Sequence, residues 1–489
     1  MAHQRQVFVA RAAGTHTEGA PYRPSSNQLI GAERVQVLVD HPVREWTTGF
    51  SEADTMKDCP MLLVLAWGLS ALGQSVTESS RLALNPDSTG RDGYHTPLAR
   101  EPDDLKQELD ADAAALSRVP ADPLIQRDPL AVLFEPVDHA SERVANAGRL
   151  KLGSTYTFLT QYATKSQPGE KQERHGQTSG RLDFTAVWKA YQHGNSAGSI
   201  SLLVRSGTNI GVSQKFNLSD SLSSGLYLNC LQVGGPQEPI TVNVLYWRQD
   251  IFGKRISLYA GKIHPNEYVS LSMFNNDERA QFLNGANDGD LAVASDGVYA
   301  GGAAMELQAT KHLYVHAIAV DTEGAQQRDI ESLVDRKYME GLEAGWFSGS
   351  PGEQYRNYRI GFWRDDTKAQ GSGHGVGLAF EHEFANGWAP FGRYAFATDR
   401  GTSIKLVEEI GLAQVHPFGR QGDTFGAAFN YTEPTASGKH HESVFETFYR
   451  LRATRSMEFG PDVEVSIHPT YASKAYTTAL VGLRLRFIF

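Results

Sequence analysis

The stretch ALVGLRLRFIF, residues 479–489, decides between the fold classes that the sequence allows. Its apolar side chains occupy alternate positions from Ala479 to Phe489, whereas Arg484 and Arg486 lie between them on the opposite face, as in a β-strand. In a soluble sandwich the apolar face would turn inward and the arginines outward. In an outer-membrane barrel the apolar face meets lipid and the arginines line a watery lumen.

The same alternation runs back to about Leu150. Segments of roughly ten residues are separated by turns rich in Gly, Asn, Asp and Pro. In one such segment Leu182 and Phe184 point one way while Asp183 and Thr185 point the other. Residues 150–489 accommodate about sixteen strands at this spacing. We therefore predict an all-β fold, a closed antiparallel transmembrane β-barrel, preceded by a partly disordered or helical N-terminal segment.

A segment typical of a secretory leader begins only at Met56, well inside the chain. MKDCPMLLVLAWGLSALGQ from Met56 has a lysine, an apolar core and small residues before Gln74, which predicts a signal peptide over residues 56–73. We interpret residues 1–55 as a non-native extension upstream of this signal peptide. Residues 74–149 are polar and Asp- and Pro-rich, with one short helical pattern from Asp103 to Val119, and we expect a periplasmic lead-in there.

Three features favour the barrel over the sandwich: the secretory leader, the alternating strand that Phe489 closes, and aromatic residues near strand ends. These aromatics are Tyr246, Trp247, Trp363, Trp388 and Tyr449. A barrel of about sixteen strands leaves an aqueous channel. The longest interruption, from His264 to Gly297, suits either a loop folded into the lumen or an external loop, and a second interruption runs from Thr322 to Gly341.

The alternation also predicts which side chains line the channel, because a charged side chain on the lipid face costs on the order of 2–4 kcal/mol for Arg or Lys near mid-membrane. The strongest pore-lining candidates are Trp247, Arg255, Tyr259, Arg359, Trp363, Glu381, Arg393 and Arg450. Further charged candidates are Asp183, Lys189, Glu446, Glu464, Arg484 and Arg486. Opposed acidic and basic rows suit neutral polyols, and the aromatic rings offer flat apolar platforms for sugars.

The composition and the motifs of the chain argue against other functional classes of protein. The formal net charge of −10 argues against a nucleic-acid-binding protein, because binding to nucleic acid requires a basic surface. The GNSAG motif at residues 194–198 lacks the helix that a nucleophile elbow needs, because another strand pattern follows it. His382 between two glutamates, and the pair His440 and His441, offer no chelate, since neighbouring residues of a strand face opposite sides. We expect no catalytic residue, metal or cofactor.

Three stretches resemble the carbohydrate-selective porins of the OprB type. They are LYAGKIHPNEYVSLSMFNNDERAQFLN at 258–284, YRIGFWRDD at 358–366 with GHGVGLAFEHEFANGWAPFGRYAFA at 373–397, and VEVSIHPTYASKAYTTALVGLRLRFIF at 463–489. The resemblance implies substrate-selective passive diffusion of mono- and small oligosaccharides across the outer membrane of a Gram-negative cell. The implied partners are small sugars, outer-membrane lipid and the barrel-assembly machinery, with a homotrimer or a monomer both open. A general or anion-preferring porin is the closer alternative, and a barrel lipid hydrolase is the more distant one.

Overall fold

The structure is a computed structural model that describes residues 124–125, 128–165, 175–213, 216–226, 240–287, 292, 299–321, 337–349, 354–367, 371–398, 403–420 and 422–489. The expected extension (1–55), signal peptide (56–73) and Asp103–Val119 helix lie outside these residues. The described part of the lead-in contains helix α1 (Ala131–Gly148), which the sequence reasoning did not predict. Among the described helices, none combines the length and the apolar character needed to span a membrane.

Sixteen strands form one closed sheet, in which each strand is antiparallel to its neighbours and β1 pairs with β16. The strands are β1 (Leu150–Ala163), β2 (Gly176–His193), β3 (Ser196–Asn209), β4 (Thr241–Ile251), β5 (Ile256–Ile263), β6 (Ala300–Gln308), β7 (Leu313–Asp321), β8 (Tyr338–Ser348), β9 (Arg356–Thr367), β10 (Gly371–His382), β11 (Trp388–Ala397), β12 (Ile404–Val415), β13 (Thr424–Pro434), β14 (Glu442–Arg452), β15 (Met457–Ile467) and β16 (Thr477–Ile488). A short helix, α2 (Leu218–Leu222), lies between β3 and β4. The predicted closed barrel and its strand number are confirmed.

Closure gives every strand two hydrogen-bonded neighbours, so no strand presents an open edge to its surroundings. Lipid offers no hydrogen bonds to the backbone, so a sheet can span a membrane only when it is closed in this way.

The two faces of the sheet differ as the terminal strand predicts. In β16 the side chains of Leu483 and Leu485 are on the partly exposed outer face, while Arg484 and Arg486 point into the barrel and are 2% and 4% exposed. Large apolar side chains such as Val481 are exposed on the same outer face. The orientation inferred from residues 479–489 is therefore confirmed.

The two ends of the barrel also differ. The end that carries Leu150 and Phe489 has short connections, such as Gly194-Asn195 between β2 and β3, and we call it the turn end. The opposite end, the loop end, carries the longer connections, including that between β5 and β6. Helix α1 contacts the turn end, where the ring of Phe134 stacks on that of Phe489 with centroids 4.8 Å apart.

The aromatic residues noted near strand ends lie on both faces of the barrel. Trp247, Trp388 and Tyr449 are on the outer face, towards the turn end, as an interfacial belt requires. Tyr246 and Trp363 point into the barrel and are buried, so they are not part of such a belt.

Candidate functional site: the lumen and its inner loop

The connection between β5 and β6 folds back into the barrel. We call residues 265–287 the inner loop; it starts with a 3-10 turn at Pro265–Glu267. Nearly all of its side chains are buried, and those of Phe282, Asn284 and Asn287 have no exposed area. Of the two readings that the sequence left open for this connection, the described part of it shows the loop inside the lumen.

Aromatic packing fixes one side of the inner loop. Phe282 packs edge-on against Phe448 of β14, with ring centroids 4.9 Å apart, and also contacts Phe391 of β11. Gly426 of β13 makes this approach possible, because a Cβ at that position would lie 2.4 Å from the Phe448 ring and 3.0 Å from that of Phe282. The lack of a side chain on the wall therefore creates the pocket that receives the loop.

Glutamates of the barrel wall hold the rest of the inner loop. Glu343 of β8 accepts a hydrogen bond from the Ser270 amide at 2.7 Å, and Glu381 of β10 accepts one from the Met273 amide at 2.7 Å. Further along the loop, Asn275 Nδ2 donates to both carboxylate oxygens of Glu409 on β12, at 2.8 Å each.

Beyond this point the inner loop contacts two further wall carboxylates. The Asn284 amide and Asn287 Nδ2 donate to Glu446 of β14 at 3.2 and 2.9 Å, and Asn284 Nδ2 donates to Glu464 of β15 at 2.8 Å. Bonds from amides to ionised carboxylates are among the stronger hydrogen bonds of proteins. The loop therefore spans the lumen on a set of inward carboxylates from β8 to β15.

Several of these carboxylates are balanced by arginines. Arg359 pairs with Glu381 at 2.9 Å, and Arg393 pairs with Glu409. On the opposite wall, Arg181 and Arg205 share Asp183, each at 2.8 Å, and Arg181 also pairs with Glu278 of the inner loop. Burial raises the pKa of Glu278, but the charges of Arg181 and Arg205 outweigh burial and hold that pKa below its usual range.

Six of the eight predicted pore-lining residues point into the barrel. Tyr259, Arg359, Trp363, Glu381 and Arg393 are buried there, and Arg450 lies near the turn end, where its Nη2 donates to Thr424 Oγ1 at 2.7 Å. Tyr259 and Trp363 share one buried apolar cluster with Tyr268 and Val269 of the inner loop. Their rings are therefore covered by the loop and present no open platform. A role for these six residues in solute passage stays a prediction.

The assignment of Trp247 to the lumen is wrong. Its indole lies on the outer face of the barrel and stacks with Tyr191, with ring centroids 6.3 Å apart. The cause is an irregularity in the β3–β4 pairing, where Leu203 faces Val244 but Val204 faces Val242. Such a bulge inserts one residue and inverts the phase of the side chains beyond it.

The assignment of Arg255 to the lumen is also wrong. Arg255 lies in the turn between β4 and β5 at the turn end, where it is exposed and donates a hydrogen bond to the carbonyl of Ala309 at 3.3 Å. The prediction extended the alternation of β5 back to Arg255, but β5 begins only at Ile256.

Sequence reasoning missed Glu343, Glu409 and Asp462. All three point inward and are buried. Glu343 stands between two outward apolar residues, the same signal that identified Glu381, so it could have been found. Glu409 follows Glu408 directly, and the sequence does not tell which of the two points inward. The grouping of Asp462 with carboxylates of β14 depends on strand register, which the sequence does not state.

A closed sixteen-stranded barrel with an apolar outer face, a charged inner face and an inner loop across the lumen has the architecture of a porin. The fold therefore places the molecule in the class of porin-type β-barrels.

Comparison with known proteins agrees with this class. Residues 373–489 match the model of the carbohydrate-selective porin, OprB family. The high-pH structure of OprB from Pseudomonas putida is similar to this chain, with 14% identity and a TM-score of 0.60 over 72% of this chain and 97% of that one. The low-pH structure of the same protein matches at 13% identity and a TM-score of 0.46, over 72% and 96%. Among curated proteins, none matches the chain. The resemblance to the carbohydrate-selective porins is thereby confirmed.

Proposed function

We propose that this protein is a porin of the Gram-negative outer membrane through which mono- and small oligosaccharides diffuse passively. The observation that carries the proposal is the pairing of arginines with carboxylates on the lumen wall beside the inner loop. The pairs are Arg181 and Arg205 with Asp183 and Glu278, Arg359 with Glu381, Arg393 with Glu409, and Arg486 with Glu458.

Paired charges favour a neutral solute that carries many hydroxyl groups. Each of these guanidinium groups is neutralised by a neighbouring carboxylate, so the part of the wall that the structure describes has no row of unpaired arginines that would favour an anion over a neutral solute. Conduction needs contacts that are weak and repeated, because tight binding would block the pore. The family match at residues 373–489 supports carbohydrates as the solute class.

The orientation of the barrel in the membrane follows from the lengths of the connections at its two ends. Short connections face the periplasm in outer-membrane barrels and longer ones face outward. The turn end, with helix α1 and Phe489, is therefore assigned to the periplasm, and the loop end to the cell exterior.

A liposome-swelling assay tests the proposal. Liposomes containing the purified protein should swell faster in glucose than in the size-matched anion gluconate, because paired arginines give the anion no electrostatic advantage. Faster entry of gluconate would support the anion-preferring alternative. Protein-free liposomes and liposomes containing heat-denatured protein are the controls. Release of fatty acid without swelling would overturn the channel assignment in favour of a lipid hydrolase.

A further inference from the structure

Three carboxylates meet on the inner face of β14 and β15 and differ from the arginine-paired ones. Glu446 and Glu464 lie directly opposite each other in the β14–β15 register, and Asp462 is two residues from Glu464 on the same face. Each offers one oxygen, and these oxygens all lie within 4.8 Å of one another. Glu446 and Glu464 have no exposed area, and Asp462 is 1% exposed.

Among the described residues, none donates a hydrogen bond to the carboxylate of Asp462, although both of its oxygens are buried. Arg484 approaches from β16, but its Nη1 donates to the Glu278 carbonyl at 2.8 Å. Within the described part of the chain, no ion pair involves Glu446, Asp462 or Glu464.

The surrounding donors favour ionised carboxylates. Gln161 Nε2 donates to Glu464 at 2.7 Å, and Asn284 Nδ2 donates to its other oxygen at 2.8 Å. Glu446 accepts hydrogen bonds from the inner-loop amides of Leu283 and Asn284. Hydrogen bonds to the charged form favour that form, and buried negative charges this close together need a bound cation or a proton to offset their repulsion.

We propose that Glu446, Asp462 and Glu464 bind a calcium ion. A set of carboxylate oxygens without nitrogen or sulfur selects a hard divalent cation, and Ca²⁺ accepts irregular oxygen cages more readily than Mg²⁺ does. Gly482 on β16 faces Asp462 and keeps the space beside it open, because a Cβ there would lie 3.6 Å from Asp462 Oδ1. Asn287 Oδ1, on the inner loop, is a further buried oxygen without a hydrogen-bond partner among the described residues.

The site has a structural consequence for the channel. Glu446 and Glu464 are the wall residues that hold Leu283, Asn284 and Asn287, so the ion lies behind the last anchor of the inner loop. Calcium there removes the repulsion between the carboxylates and fixes this end of the loop. The inference does not depend on which solute passes through the pore.

Calorimetric titration of the EDTA-treated, refolded full chain in detergent with CaCl₂ tests the proposal. The wild type should bind one Ca²⁺ per barrel, and Asp462→Asn should weaken binding at least about tenfold, because removing a ligand costs no less than disturbing an outer-shell partner. Mg²⁺ should bind more weakly than Ca²⁺. The matched control is Glu306→Gln, which removes a buried inward carboxylate of β6, on a distant part of the barrel wall, and should leave Ca²⁺ affinity unchanged.

Heat-modifiable migration on a denaturing gel confirms that each variant forms a barrel, and Glu464→Gln replaces Asp462→Asn if the latter does not assemble. Absence of a Ca²⁺ signal in the folded wild type would overturn the proposal. Equal affinity in the wild type and a folded cluster variant would overturn it as well, as would tighter binding of Mg²⁺.

Discussion

Two arcs of the same barrel wall hold the inner loop by different means. From β9 to β12, Glu381 and Glu409 each receive a loop donor and an arginine, so charge and hydrogen bonds are both satisfied. On β14 and β15, Glu446 and Glu464 receive loop amides but no arginine from the residues that the structure describes, and Asp462 receives neither from them. We call these the paired arc and the acidic arc.

The difference shows how one loop can have a permanent anchor and a conditional one. An ion pair supplied by the chain itself is always present, whereas an excess of buried carboxylate is stable only with a proton or a metal ion. The paired arc should therefore respond to loss of its arginines, and the acidic arc to loss of its cation.

The largest effect is expected in the paired arc. Arg359→Ala leaves Glu381 buried without its partner, and we expect a loss of about 3–5 kcal/mol in the free energy of unfolding. It should also shift ion selectivity towards cations. Urea unfolding in detergent and reversal potentials in a salt gradient measure the two effects.

Arg364→Ala is the matched control, because Arg364 is on the same strand but its side chain is 59% exposed and points outward. Unchanged selectivity in folded Arg359→Ala would remove this residue from the pore wall.

A smaller effect of opposite sign is expected in the acidic arc. In EDTA, Asp462→Asn removes one of three crowded charges and no hydrogen bond from a described residue, so it should raise the free energy of unfolding by on the order of 1–3 kcal/mol. In saturating Ca²⁺ the same variant should be less stable than the wild type. Urea titrations in both buffers check this reversal, and a loss of stability in both would contradict the contrast between the arcs.

The smallest effect concerns a single loop anchor. Asn275→Ala removes both hydrogen bonds to Glu409 and should cost about 1 kcal/mol, because the ion pair with Arg393 remains. The loosened loop should raise single-channel conductance. Asn386→Ala, in the turn between β10 and β11, is the control, and equal conductance in the two variants would show that Asn275 does not hold the constriction.

The sequence predicted the barrel because alternation survives in most strands, with Arg484 and Arg486 as its clearest case. It misplaced Trp247 because the bulge between β3 and β4 inverts the side-chain phase, so that Arg248 and Asp250, and not Trp247, point inward. It identified Glu446 and Glu464 as lumen residues but not their meeting with Asp462, because that depends on the register between two strands. The local sequence pattern thus predicted which face of a strand a residue lies on. Contacts between neighbouring strands could be found only from the structure.

Single-channel recording in a planar bilayer tests the central claim most directly. A lumen whose arginines are paired with carboxylates predicts steady channels whose open current falls as glucose is added, with no strong preference for small anions. A folded protein that gives no steady channels, or channels that glucose does not affect and that strongly prefer anions, would contradict it.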